Sequence, residues 1–204
     1  MRIDFDETNL QEAIVGPVHG LTRGEIKEHV PLAAKALRDF RKACEGGLYG
    51  FPELPRQRAL TRGILDYAHS VEGSYDTVCL VGIGGSALGA WALDCGLRGP
   101  HPVQGRHSAL RPRLVLLDNA DPLLVEAAVD SMNPRRTLVV VIAKSGGTAE
   151  TVATFLIVRD WLSRALGSRA AQRIVAVTSA GRGDLAALAS REGYKSFPIP
   201  ENVG

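Results

Sequence analysis

From Asp76 onward the sequence predicts a three-layer α/β/α sandwich on a parallel sheet, and three observations predict it. Short apolar, β-branched runs alternate regularly with helical stretches. Those runs, Leu138 to Ile142 above all, lack the polar alternation of a half-solvated strand, so both faces are expected to be buried beneath helices. Two glycine-rich loops each follow a strand and open a helix, placing both at the carboxyl end of the sheet, where ligands gather in such folds. Right-handed crossovers complete the architecture.

The elements follow in order. Thr22-Arg23-Gly24-Glu25 forms a capping box, with Thr22 as N-cap and Glu25 reaching back. Ile26, Val30, Ala33, Ala34, Leu37 and Phe40 keep helical spacing until Gly46-Gly47, and Pro31 predicts a kink or break near Val30. Leu60, Ile64, Leu65 and Tyr67 indicate a second helix reaching about His69. Residues 1–75 thus form a helical segment packed on the main domain, residues 76–204.

In that domain Thr77 to Val81 is the first strand, and a helix runs from Ser86 to about Leu97. Leu114 to Leu117 is the second strand. Asp121 suits an N-cap and Pro122 the first helical position, so a helix should run to about Ser131. Leu138 to Ile142 is the third strand, followed by a helix from Thr148 to about Leu166. Ile174 to Val177, a loop to Gly183, a helix from Asp184 to Arg191, and a fifth strand at Lys195 to Ile199 finish the pattern.

Composition narrows the function classes. At 204 residues and 45% hydrophobic, the chain can bury a substantial core. Its 24 basic and 22 acidic residues leave a formal charge of +2, which speaks against a nucleic-acid or membrane-surface protein. The nearest approach to a basic run, Arg111 and Arg113 around Pro112, suits a solvated loop. Cys44, Cys79 and Cys95 are too few and too scattered for a disulfide framework, and Cys79 belongs to an apolar strand as a core residue. Met1-Arg2-Ile3-Asp4-Phe5-Asp6 lacks the apolar stretch of a signal peptide, and no run has the length of a membrane span. A cytoplasmic location is expected.

The chemistry lies in the two loops. The first reads Val81-Gly82-Ile83-Gly84-Gly85-Ser86-Ala87-Leu88-Gly89, the second Ala143-Lys144-Ser145-Gly146-Gly147-Thr148-Ala149-Glu150-Thr151. Glycines let an anion approach the main chain, and helix N-termini present free N–H groups to it. Helix polarity alone contributes only about 0.3–1 kcal/mol. Hydrogen bonds to charged groups contribute about 1.5–3 kcal/mol each, so several donors must converge. Ser86, Lys144, Ser145 and Thr148 supply them.

Other motifs match less well. Gly82, Gly84 and Ala87 fit the dinucleotide fingerprint only loosely, with Asp118 ending the next strand. Lys144 precedes its glycines, unlike the lysine of a nucleotide-triphosphate loop. His19, His29, His69, His101 and His107 show no metal-ligand spacing, and His101 and His107 fall in an expected loop. No cofactor or metal is indicated. Glu150, in a first helical turn, suits either the helix dipole or a functional role.

The two loops, together with Asp118-Asn119-Ala120-Asp121-Pro122 between them, resemble in order and spacing the N-terminal half of the bacterial glucose-6-phosphate isomerase family. The resemblance covers Thr77 to the end, where Glu201-Asn202-Val203-Gly204 looks like the start of that family's Gly-Gly-Arg motif. It implies a sugar-isomerase domain with a flavodoxin-like parallel sheet that grips a sugar phosphate. By that resemblance Ser86, Ser145 and Thr148 contact the phosphate, alongside Gly84, Gly85 and Gly147 of the same loops. Lys144 matches the family's loop lysine and Glu150 a carboxylate close to the substrate. Where the family often has serine before this lysine, Ala143 stands here, removing one phosphate donor.

The resemblance further implies glucose 6-phosphate and fructose 6-phosphate as substrates, interconverted through an enediol, and a homodimer in the full-length protein. The proton-transferring glutamate, the arginine and a partner's histidine of that family come after the Gly-Gly-Arg motif. The 204-residue piece alone is therefore expected to clamp phosphate without isomerising. The alternatives are a non-catalytic phosphosugar-sensing sugar-isomerase module, against which the absence of a basic helix-turn-helix in the first seventy residues counts, and a nucleotide-binding domain.

Overall fold

A computed structural model describes residue 4, residues 6–98 and residues 112–203. The expected loop holding His101, His107 and Arg111 lies outside the described residues, as do Met1 to Ile3, Phe5 and Gly204.

Two compact units divide the chain, one reaching to Pro52 and the other spanning Glu53–Val203. The first contains a short helix α1 (Glu12–Val15) and the long α2 (Arg23–Glu45). Thr22 and Glu25 form the capping box: Glu25 N–H donates to Thr22 Oγ1 at 3.1 Å, and Thr22 N–H donates to Glu25 Oε2 at 2.8 Å. That pairing satisfies two otherwise orphaned donors and holds the Glu25 carboxyl below its ordinary pKa. Pro31 lies inside α2 without breaking it. Lys27, whose carbonyl loses its donor there, is exposed, so that carbonyl is not left in an apolar interior. Phe40 stacks on Tyr49 at 5.7 Å, packing the end of α2 against the chain that leaves it.

The second unit carries α3 (Arg58–Ser70) and then the alternating pattern: β1 (Thr77–Val81), α4 (Gly85–Arg98), β2 (Arg113–Leu117), α5 (Pro122–Asp130), β3 (Thr137–Ile142), α6 (Ala149–Leu166), β4 (Ile174–Ser179), α7 (Asp184–Glu192) and β5 (Lys195–Ile199). All five strands are parallel, in the order β2-β1-β3-β4-β5, the flavodoxin-like arrangement. Asp121 caps α5 as its sequence context implies, accepting from Leu123 and Leu124 N–H at 2.8 and 3.2 Å.

Alternate side chains divide between the two faces of the sheet. Cys79, Val81, Val139, Val141 and Ala176 join Val125 of α5, Phe155, Val158 and Leu162 of α6, and Leu185 of α7 in one core. Burial pushes the Cys79 thiol up to about 12, leaving it a neutral core residue. On the other face Val78, Leu138, Val140, Val175 and Val177 line a groove of about 490 Å³ with residues of α3. There Tyr67 meets Phe197 of β5 edge-on at 5.8 Å, and the Lys195 ammonium lies over both rings. At the amino ends of the strands, Arg136 donates to both Asp76 carboxylate oxygens at 3.0 and 2.7 Å, joining the entry of β1 to that of β3. These bonds hold the Asp76 carboxyl below the ordinary carboxylate range. Among the described residues no helix is long and apolar enough to cross a membrane.

Candidate functional site

The strand order reverses direction between β1 and β3. From β1 the chain moves outward to β2, then crosses back to β3 and continues the other way. A crevice opens beyond the carboxyl ends at such a point, because the flanking connections run to opposite faces. Both glycine loops leave here, the first from β1 and the second from β3. Their strands are neighbours, with Val81 paired to Val141. The first loop also lies against the end of β3: a Cβ on Gly82 would meet Ile142 O at 3.1 Å, tighter than ordinary contact.

In the first loop Ser86 N–H donates to Ile83 O at 3.2 Å, while Ala87 and Leu88 N–H converge on Gly84 O at 3.0 and 2.9 Å. Those bonds start α4. The Gly84 and Gly85 N–H groups have no main-chain partner among the described residues, as the opening turn of a helix leaves them. Ala87 is fully buried and anchors the turn, and Ser86 is half-buried beside it.

The second loop is held from β4 and α7. Lys144 O accepts from Ser179 N–H at 3.1 Å and from Thr178 Oγ1 at 3.2 Å. Gly146 takes a φ of +73° against Leu185, whose N lies 2.6 Å from where a Cβ would sit. Gly183, at φ +83°, lies so close to Ser145 that a Cβ would fall 2.0 Å from its carbonyl oxygen. The second loop and the loop after β4 interlock main chain to main chain, with no room for a side chain between them.

Thr148 is the N-cap of α6, yet its side chain makes no capping bond. Its hydroxyl stands exposed at the positive end of an 18-residue helix and is uncommitted to that helix. Ser145 Oγ accepts from Gly147 N–H at 3.3 Å, leaving its own proton to donate. Glu150 is exposed in the first turn of the same helix. Ala143 is buried, and its N–H donates to Val177 O at 3.0 Å within the sheet, so neither its side chain nor its amide serves a ligand.

Lys144 and Ser145 line a pocket of about 340 Å³ together with Ser179, Arg182 and Gly183. Two cations and two hydroxyls face it, and no carboxylate is among these lining residues. The structure therefore brings Lys144 and Ser145 into one pocket. Ser86 and Thr148 open the helices that follow adjacent strands. Ser179, Arg182 and Gly183 go beyond the residues singled out from sequence; their signal was a third loop after a strand, ending in Gly181-Arg182-Gly183. An anion with several oxygens, such as a phosphate monoester, suits this combination of cations and hydroxyls.

The family model for phosphoglucose isomerase matches residues 65–185. A glucose-6-phosphate isomerase from Rubrobacter xylanophilus is 37% identical over 99% of this chain and 45% of its own length. A probable glucose-6-phosphate isomerase from Methanococcus maripaludis is 30% identical over 99% of the chain and 44% of its own. Among solved structures, a hypothetical protein from Thermus thermophilus superposes with a TM-score of 0.75 at 33% identity, covering 87% of this chain and 41% of that one. The chain spans less than half the length of the curated relatives it matches.

Proposed function

We propose that this chain, which belongs to the phosphoglucose isomerase family, is the sugar-phosphate-holding portion of a glucose-6-phosphate isomerase. The observation that carries this reading is that two glycine loops leave adjacent strands at the β1/β3 switch point, with hydroxyls, a lysine and, among the described residues, amides without a main-chain partner all at one end of the sheet. Glucose 6-phosphate and fructose 6-phosphate are the proposed ligands. Gly84, Gly85 and Ser86 grip the phosphate from one side, and Lys144, Ser145, Gly147 and Thr148 from the other. The Thr148 hydroxyl is available to the phosphate because it is not drawn into a helix cap. Glu150 stands in the first turn of α6 as the carboxylate nearest the sugar.

Holding the phosphate fixes the sugar so that its C1 and C2 are presented in one orientation, which lowers the entropy barrier to an enediol step. Moving the proton demands a carboxylate placed against those carbons and tuned in pKa. Glu150, exposed beside the clamp, does not have that enclosed setting, so the chain by itself binds without isomerising. The longer protein acts as a homodimer in the cytoplasm.

Titration calorimetry of the 204-residue chain tests this reading. Fructose 6-phosphate and glucose 6-phosphate are expected to bind and fructose is not, and a coupled assay is expected to show no turnover. Equal affinity for fructose would overturn the phosphate clamp, and turnover at ordinary enzymatic rates would overturn the division of labour.

A further inference from the structure

Resting on the clamp just described, we propose that Arg182 is a further phosphate-binding residue of the same pocket, and that Glu201 competes with the sugar phosphate for it. Arg182 lines the pocket with Lys144, and its loop is fixed there by the contact of Gly183 with Ser145. Its guanidinium donates to Glu201 Oε1 at 2.8 Å. Both side chains of that pair are about seven-tenths exposed, at 71% and 68%. An ion pair so exposed contributes little and exchanges readily with other partners.

Glu201 belongs to a turn after β5, closed by Val203 N–H donating to Pro200 O at 3.1 Å. The same turn also occupies the other cation of the pocket, because Lys144 Nζ donates to Val203 O. One short turn thus supplies a partner to each of the two positive groups. A phosphate dianion is the better partner for both: it offers three oxygens to a lysine point charge and to the planar fork of an arginine. Entry of the phosphate and departure of this turn draw on the same two cations. The turn is therefore a competing occupant of the pocket, displaced as the ligand binds.

Variants of the 204-residue chain, titrated with fructose 6-phosphate, test the assignment. Arg182→Gln is expected to weaken binding about tenfold or more, the effect of losing a charge-assisted hydrogen bond. Glu201→Gln is expected to tighten it about two- to fivefold, the range of an exposed ion pair. The double variant is expected to bind like Arg182→Gln, because Glu201 acts only through the arginine, and Arg182→Lys is expected to restore part of the affinity. Unchanged melting of the Arg182 variants would separate a lost contact from a lost fold. If wild-type chain binds and Arg182→Gln binds equally well, Arg182 is not a ligand and the clamp stands without it. If Glu201→Gln fails to tighten binding, the competition is wrong. If the wild-type chain binds no sugar phosphate at all, the underlying clamp fails instead.

Discussion

Alanine in place of Gly183 is expected to destabilise the fold by about 2–6 kcal/mol and to lower sugar-phosphate affinity by about tenfold or more. Two effects add. Gly183 holds φ +83° and ψ 167°, a region that residues with a Cβ essentially avoid, at about 1–3 kcal/mol. The added methyl would also lie 2.0 Å from Ser145 O, a main-chain atom that cannot rotate away. Either α7 or the second glycine loop must move, and forced movement in a packed region costs about 1–3 kcal/mol more. Movement on either side displaces a lining residue of the pocket, Lys144 and Ser145 on one and Arg182 on the other, so binding falls with stability. Gly181 provides the control: its φ is +66°, yet its Cβ would meet nothing within 4 Å. Gly181→Ala should therefore show only the left-handed penalty of about 1–2 kcal/mol and keep its affinity. Urea denaturation and calorimetric titration of both variants check this. A Gly183→Ala protein as stable as Gly181→Ala would refute the interlock.

Removing hydroxyls from both loops should act on binding alone. Ser86→Ala and Thr148→Ala are each expected to weaken fructose 6-phosphate binding about tenfold or more, the contribution of a hydrogen bond to a charged oxygen. Thr148 is the sharper of the two. An N-cap threonine ordinarily stabilises its helix by about 0.5–2 kcal/mol through its side chain. Thr148 makes no such bond, so Thr148→Ala should unfold within about 0.5 kcal/mol of wild type, as surface substitutions do. An affinity loss without a stability loss separates a ligand-directed hydroxyl from a structural one. A stability loss without an affinity loss would assign Thr148 to the helix.

The local rules were legible in the sequence wherever they act over a few residues. Thr77–Val81 and Lys195–Ile199 form strands with the bounds expected from the sequence. Thr22 with Glu25, and Asp121 with Pro122, start their helices as capping chemistry requires. Short elements escaped, because α1 and the 3-10 turns such as Gly167–Arg173 are too brief to show a period. Pro31 did not break its helix, since an exposed helix turn tolerates the lost bond better than the interior of a packed one. In the site, one glycine loop alone reads as a tight strand-to-helix turn, and the two stood out because they recur with hydroxyls at helix starts. Their convergence is a property of the strand order, which places β1 beside β3 although α4, β2 and α5 separate them in the chain. The contacts of Gly183 with Ser145, Lys144 with Val203 and Arg182 with Glu201 are equally non-local. No spacing within a motif encodes them.

The claim that both loops grip one phosphate is tested most directly by phosphorus NMR of fructose 6-phosphate during titration with the 204-residue chain. The phosphorus resonance should shift or broaden on addition of wild-type protein, and this response should be largely lost with the Ser86→Ala/Thr148→Ala double variant. An unperturbed resonance with wild-type protein, or an equal perturbation by the double variant, would contradict the account.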